Sequence, residues 1–228
     1  MDRVLTQNYE KYRKVYEARR TFLRYPADWI IRFHNMFMKP NLPSGHILDY
    51  GCGSGNNAAF FKEQGYEVYG TDITEAVLPL IEENVGSTEN FTILPPDMTR
   101  LPYDDNYFDF ILSNQVLYYL GSEQRIRAIC QEFSRCLRPG GVVFFTMMGS
   151  KNYYITQHAQ RIEGDLFEIQ ITGDHRLSGY HEFIYVVRDE DHLKSLFSVF
   201  ECLTAGYFDQ SMFDMKSNFH WIFVGRNV

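Results

Sequence analysis

The chain has 228 residues, of which 45% are hydrophobic and 22% charged, with a formal net charge of −7. That profile belongs to a globular domain able to bury a sizeable core and excludes a mainly disordered chain. No run approaches the roughly 18 apolar residues of a bilayer span, and the first twenty residues lack the apolar stretch of a secretory signal, so a cytoplasmic protein without membrane insertion is expected.

Two amphipathic helices are expected first. Tyr9, Tyr12, Tyr16 and Leu23 recur at near-helical spacing until Pro26 interrupts them, and Ile30, Phe33 and Phe37 then share one face. Residues 1–40 carry +5 and the remainder −12, so the body is acidic, which argues against a broad nucleic-acid surface. After the Pro/Gly-rich connection of residues 39–45 the rhythm changes to alternating strands and helices. Strands are expected at His46–Tyr50, 66–71, 91–94, Phe108–Ser113 and 142–147, and helices at 57–64, 75–84 and from the N-cap Ser122 to residue 137. Pro139-Gly140-Gly141 is read as the stop of that last helix and the turn into strand five. Such alternation means parallel pairing, because parallel strands need crossover connections. Residues 151–187 are read as an insertion over the sheet, with one strand at 182–187. A helix at 189–197 and strands at 202–207 and 219–224 complete the chain. The four cysteines, Cys52, Cys130, Cys136 and Cys202, form no ligand-spaced cluster and read as reduced thiols, with no metal site expected.

The segment that carries chemistry follows the first strand. Gly51, Gly53 and Gly55 stand at spacing two, where glycine permits a tight turn and close approach of a ligand to backbone. A dinucleotide fingerprint needs a third small residue where Asn56 stands, which counts against a nicotinamide-dependent reductase. Asp49, Asp72 and Asp97 close three successive strands. A carboxylate at the second strand's end can accept from a ribose diol, and three acids suit a positively charged ligand better than a pyrophosphate.

With these residues in place, the chain resembles the class I S-adenosylmethionine-dependent methyltransferases of small-molecule type. ILDYGCGSG resembles the family's first motif, GTDI its second, PPDMTRLPYDDNYFD its third, SNQVLYYL its fourth, and LRPGGVVFF the approach to strand five. The resemblance covers residues 45–150 and implies an α/β, Rossmann-like seven-stranded sheet of order 3-2-1-4-5-7-6 with strand seven antiparallel. It further implies helices on both faces, an N-terminal helical lid over residues 1–40 and a methyltransferase domain over 41–228. It assigns the methionine part of S-adenosylmethionine to Asp49, Gly51, Cys52, Gly53 and Gly55, and the ribose to Asp72. The adenine falls to Ile73, Asp97 and Met98. Asn114 falls near the amino acid end or the transferred methyl, Gln115 beside it is a further cofactor contact, and Tyr25 is a candidate lid contact.

Methyl transfer to nitrogen or oxygen gains from alignment of the reactants and, for a hydroxyl, from a base. Candidate bases lie in the insertion at His158, His175 and His181, with His181 preferred, and Tyr154 and Tyr180 are candidates for orienting an acceptor. The Asn/Asp-Pro-Pro-Tyr of base-modifying members is absent after strand four, where Ser113-Asn114-Gln115-Val116 stands, as is the cysteine of the cytosine enzymes. No acid follows strand five, where metal-dependent members place one. A small-molecule acceptor is therefore expected, with a sugar or a secondary-metabolite intermediate among the candidates and no nucleic acid. A module that binds the cofactor without catalysis is the alternative.

Overall fold

The structure, a computed structural model, describes residues 2–19, 22–172, 179–211 and 216–228. In chain order it runs α1 (Arg3–Glu17), α2 (Asp28–Phe33), β1 (His46–Tyr50), α3 (Asn56–Glu63), β2 (Glu67–Asp72), α4 (Leu78–Val85), β3 (Phe91–Ile93), β4 (Phe108–Ser113), α5 (Glu123–Cys136) and β5 (Leu137–Met148). Then follow α6 (Tyr153–His158), β6 (Ala159–Glu163), β7 (Leu166–Gln170), β8 (His181–Tyr185), α7 (Glu190–Leu196), β9 (Glu201–Phe208) and β10 (His220–Arg226).

Seven strands form one sheet in the order β3-β2-β1-β4-β5-β10-β9, parallel from β3 to β5, with β10 antiparallel to both its neighbours. Counting only these strands, the order is the expected 3-2-1-4-5-7-6. The two-residue period of the strands divides the core. Leu48, Ile111, Val143, Phe145 and Phe223 pack to one side with Ile126 and Phe133 of α5 and Leu193 of α7. Ile47, Phe110, Leu112, Val142, Phe144 and Val224 pack to the other with Ile30 and Phe33 of α2 and Phe61 of α3. All six residues of β4 are buried, as a central parallel strand covered on both faces requires.

Three local expectations are corrected. Residues 139–141 are not a turn between helix and strand: α5 ends at Cys136 and β5 begins at once. Leu137 pairs with Phe108 and Val142 with Phe110, so the intervening residues bulge from the ladder. The helix expected over 75–84 opens as a 3-10 turn at Glu75–Val77, capped by Thr74, and becomes α-helical only at Leu78, where Pro79 fits the first turn. The insertion holds more than one strand: β6, β7 and β8 make a separate antiparallel sheet. Helix α2 continues as a π-helical turn, His34–Met38, beneath the large sheet, whereas α1 runs along β8. Among the described residues no helix is long and apolar enough to cross a membrane.

Candidate active site

The sheet order reverses between β1 and β4, and ligands of open α/β sheets bind beyond the strand ends at such a switch point. A cavity of about 310 Å³ opens there, walled by the loop after β1, the ends of β2 and β4, residues 94–96 with Met98, and one face of α1.

The loop is fixed by backbone and carboxylate bonds. Gly51 and Cys52 donate their N–H groups to the Thr71 carbonyl at 2.8 and 2.9 Å. Gly53 N–H donates to Asp72 Oδ2 at 2.9 Å and Ile73 N–H to Asp72 Oδ1 at 2.7 Å. Gly51 and Gly53 sit at φ +75° and +53°, and a Cβ on Gly51 would lie 2.4 Å from a Val116 methyl, so the loop needs glycine for conformation and for room.

Two buried acids stand at this end, Asp72 on the cavity wall and Asp49 off it. Burial raises the Asp72 pKa to about 6, with the Gly53 and Ile73 N–H groups opposing the rise. Burial raises Asp49 to about 7, and the neighbouring Asp72 charge adds to the rise. The Asn57 amide pulls Asp49 back somewhat without completing a hydrogen bond of good geometry, and both its oxygens are buried and unpartnered. Buried orphan oxygens are costly unless a ligand supplies donors or positive charge.

The expected residues divide. Gly51, Cys52, Gly53, Asp72, Ile73, Met98, Asn114 and Gln115 line the cavity. Asn114 is held by Trp29 Nε1–H, which donates to its Oδ1 at 3.0 Å, and by the Thr146 hydroxyl at 3.2 Å. Gly55 does not reach the wall; it caps α3 in the left-handed conformation. Asp97 is exposed at a turn closed by Met98 N–H on the Pro95 carbonyl, and its side chain is not on the wall. Tyr25 is 77% exposed and meets the loop only through its carbonyl, which accepts from Asn56.

The candidate acceptor-side residues are not brought to the cavity. His181 Nε2 lies 2.7 Å from Glu168, and its carbonyl accepts from Gln7. Tyr154 packs against Tyr153 and the core, His158 meets the Tyr153 hydroxyl at 3.3 Å, and Tyr180 sits under the Lys11 ammonium. His175 lies outside the described residues.

In their place stand residues of α1 and of the turn after β4. Leu5, Asn8, Tyr12 and Tyr16 form one stripe of α1 at helical spacing, and all four line the cavity with Tyr118 and Tyr119. Tyr16 ends against the glycine loop, its hydroxyl 2.7 Å from where a Gly53 Cβ would lie. Asn8 docks the helix: Nδ2 donates to the carbonyls of Tyr119 and Phe183, both at 2.9 Å, and Oδ1 accepts from Phe183 N–H at 2.8 Å. The tyrosine spacing was visible in the sequence as a helix face, but nothing local showed that the face meets a cavity.

Residues 48–145 match the family model described as a methyltransferase domain. The chain is similar to the malonyl-[acyl-carrier protein] O-methyltransferase of Salmonella typhimurium, 29% identical over 60% of this chain and 54% of that protein. It is also similar to the tRNA (carboxymethyluridine(34)-5-O)-methyltransferase of Arabidopsis thaliana, 34% identical over 49% of this chain and 26% of that protein. The chain thus spans about half the length, or less, of these curated relatives. Among solved structures it resembles the 1,6-didemethyltoxoflavin-N1-methyltransferase of Burkholderia thailandensis, crystallised with 1,6-didemethyltoxoflavin and S-adenosylhomocysteine. The TM-score is 0.68 at 16% identity, covering 98% of this chain and 88% of that one, a likeness of fold.

Proposed function

We propose that the chain is a class I S-adenosylmethionine-dependent methyltransferase and that it moves a methyl group from S-adenosylmethionine to oxygen or nitrogen of a small-molecule acceptor. The observation that carries the reading is the orphaned Asp49 carboxylate beside Asp72 under a loop with no room for a Cβ at Gly51. A ligand that brings a cationic group and a ribose diol answers both acids.

In this reading Asp72 accepts from the ribose hydroxyls with the lone pairs its backbone donors leave free, and Asp49 offsets the positive charge of the methionine part. Ile73, Leu94, Pro96 and Met98 give the adenine an apolar slot, and Asn114, clamped by Trp29 and Thr146, borders the methionine end. When bound, the cofactor supplies a methyl carbon on a sulfonium, an electrophile with a neutral leaving group. The residues of this chain then act by holding the reactants in line and excluding water, with α1 as the lid.

The test is incubation of purified protein with S-adenosylmethionine and a metabolite extract. The expected result is S-adenosylhomocysteine together with a product heavier by one methylene. Failure of either nucleoside to bind overturns the reading. A non-catalytic cofactor-binding module is the second reading, favoured by one observation: among the described residues the cavity wall holds no histidine, lysine or glutamate. Binding without turnover on any extract supports it.

A further inference from the structure

The acceptor's chemistry can be read from the wall that α1 and the turn after β4 build. Tyr12 and Tyr119 meet edge to face at 4.8 Å, Tyr12 and Tyr16 stand 5.9 Å apart, and Tyr118 and Tyr119 lie 4.5 Å apart. Along α1 the stripe from Tyr16 to Leu5 extends about 16 Å, so this wall leads away from the glycine loop.

Two amides of the wall are already engaged. Both hydrogens of the Asn8 amide and its oxygen bond backbone, and Asn114 Oδ1 meets both Trp29 and Thr146. Among the described lining residues, Asp72 is the one acid and there is no Lys, Arg or His. Lys11 stands next to this wall but is committed elsewhere. Its ammonium pairs with buried Glu182 and lies 4.4 Å over the Tyr12 ring and 5.4 Å over the Tyr119 ring. Desolvation holds the Tyr12, Tyr16 and Tyr119 phenols protonated, so they act as apolar faces and O–H donors.

An anionic acceptor would meet no uncompensated cation here and would stand near Asp72, and a sugar would find no charged partner on this wall and the Asn8 amide already committed to backbone. A flat ring finds what it needs, since aromatic faces attract one another by stacking and edge contacts.

We propose that the acceptor is an uncharged, planar heteroaromatic molecule, methylated on a ring nitrogen or ring hydroxyl, held against the tyrosine wall of α1 and the β4 turn. This rests on the methyl-transfer reading above. The acceptor's lone pair forms the new bond to the methyl carbon as the carbon–sulfur bond breaks. That electron pair stays on sulfur, giving neutral S-adenosylhomocysteine, and the N–H or O–H proton leaves to solvent water.

The experiment is calorimetry on protein saturated with S-adenosylhomocysteine, using 4-hydroxyquinoline, kynurenate (the same ring bearing a carboxylate) and a methyl glucoside. Saturable binding of 4-hydroxyquinoline, at least tenfold tighter than kynurenate and with no glucoside binding, is expected. Kynurenate binding as tightly or tighter, the glucoside as the sole ligand, or no binding of any probe overturns the proposal while leaving methyl transfer standing. Failure of S-adenosylhomocysteine itself to bind removes the methyl-transfer reading and this one with it.

Discussion

The two ends of the cavity are built in different ways. At the glycine-loop end, Asp49 to Gly55 arrive on one continuous strand–loop segment, and Asp72 follows on the neighbouring strand in register, with Asp49 paired to Gly70 and Tyr50 to Thr71. At the tyrosine end, the wall is assembled from α1 and the turn after β4, and braced by β8, whose Phe183 lies 175 residues from Asn8. The first end is a local device on a rigid sheet; the second exists only when distant segments dock. In the proposed reading the first end binds the cofactor and the second selects the acceptor, and substitutions at the two ends should separate in the same way.

The largest effect is expected at Gly51. Gly51→Ala places a Cβ against Val116 in a left-handed conformation and should cost about 2–4 kcal/mol of stability, read as a fall in the unfolding temperature, with cofactor affinity lost beyond detection by calorimetry. Wild-type stability in this variant would show that the loop adapts. Next, Asp72→Ala removes a charged acceptor for the ribose and frees the Gly53 and Ile73 N–H groups. S-adenosylhomocysteine binding should weaken at least tenfold, since hydrogen bonds to a charge are worth about 1.5–3 kcal/mol each. Unchanged affinity would remove Asp72 from the site.

At the other end, Asn8→Ala should cost about 1–3 kcal/mol by leaving the buried Phe183 N–H unsatisfied. Hydrogen exchange should speed up in α1 and β8 while the sheet stays protected. Uniform loss of protection would mean that α1 is integral to the whole fold.

The acids make a pH prediction. Folding raises Asp72 to about 6 and Asp49 to about 7, above the ordinary carboxylate value. The folded state therefore binds more protons than the unfolded one between about pH 4 and 7. The stability these groups contribute is full below the ordinary carboxylate pKa and declines as pH rises through 6 and 7. A ligand that answers the ionised acids reverses the trend, so S-adenosylhomocysteine affinity should rise, by up to about tenfold, from pH 5.5 to 7.5 with proton release. Asp49→Asn should flatten part of both profiles; profiles identical to wild type would show that Asp49 does not titrate in this range. The smallest effect is expected at His181. His181→Gln loses a contact to Glu168 outside the cavity, so affinity and turnover should change less than twofold, and a large loss of turnover would return His181 to the site.

The difference between the ends also explains what the sequence revealed. The bounds of β1 and β4 and the seven-strand order could be read because apolar runs, glycine stops and the spacing of motifs are local and ordered along the chain. The Asp49–Asp72 pairing followed from strand order alone. The tyrosine wall could not be read the same way. Tyr12 and Tyr16 looked like any amphipathic helix face, and the partner that gives the face a purpose is fixed by Asn8 through contacts far apart in sequence. Of the small sheet the sequence shows β8 alone, since β6, exposed along most of its length, lacks the apolar alternation that marks a strand. Asp97 is suggested by motif position and Tyr25 by its place in the N-terminal lid, but both are exposed and neither lines the cavity.

The most direct test of the central claim is a calorimetric titration of S-adenosylhomocysteine into the wild-type protein at pH 7.5. The account predicts saturable binding of one equivalent that tightens on raising the pH from 5.5. A titration with no saturable heat at either pH would contradict it.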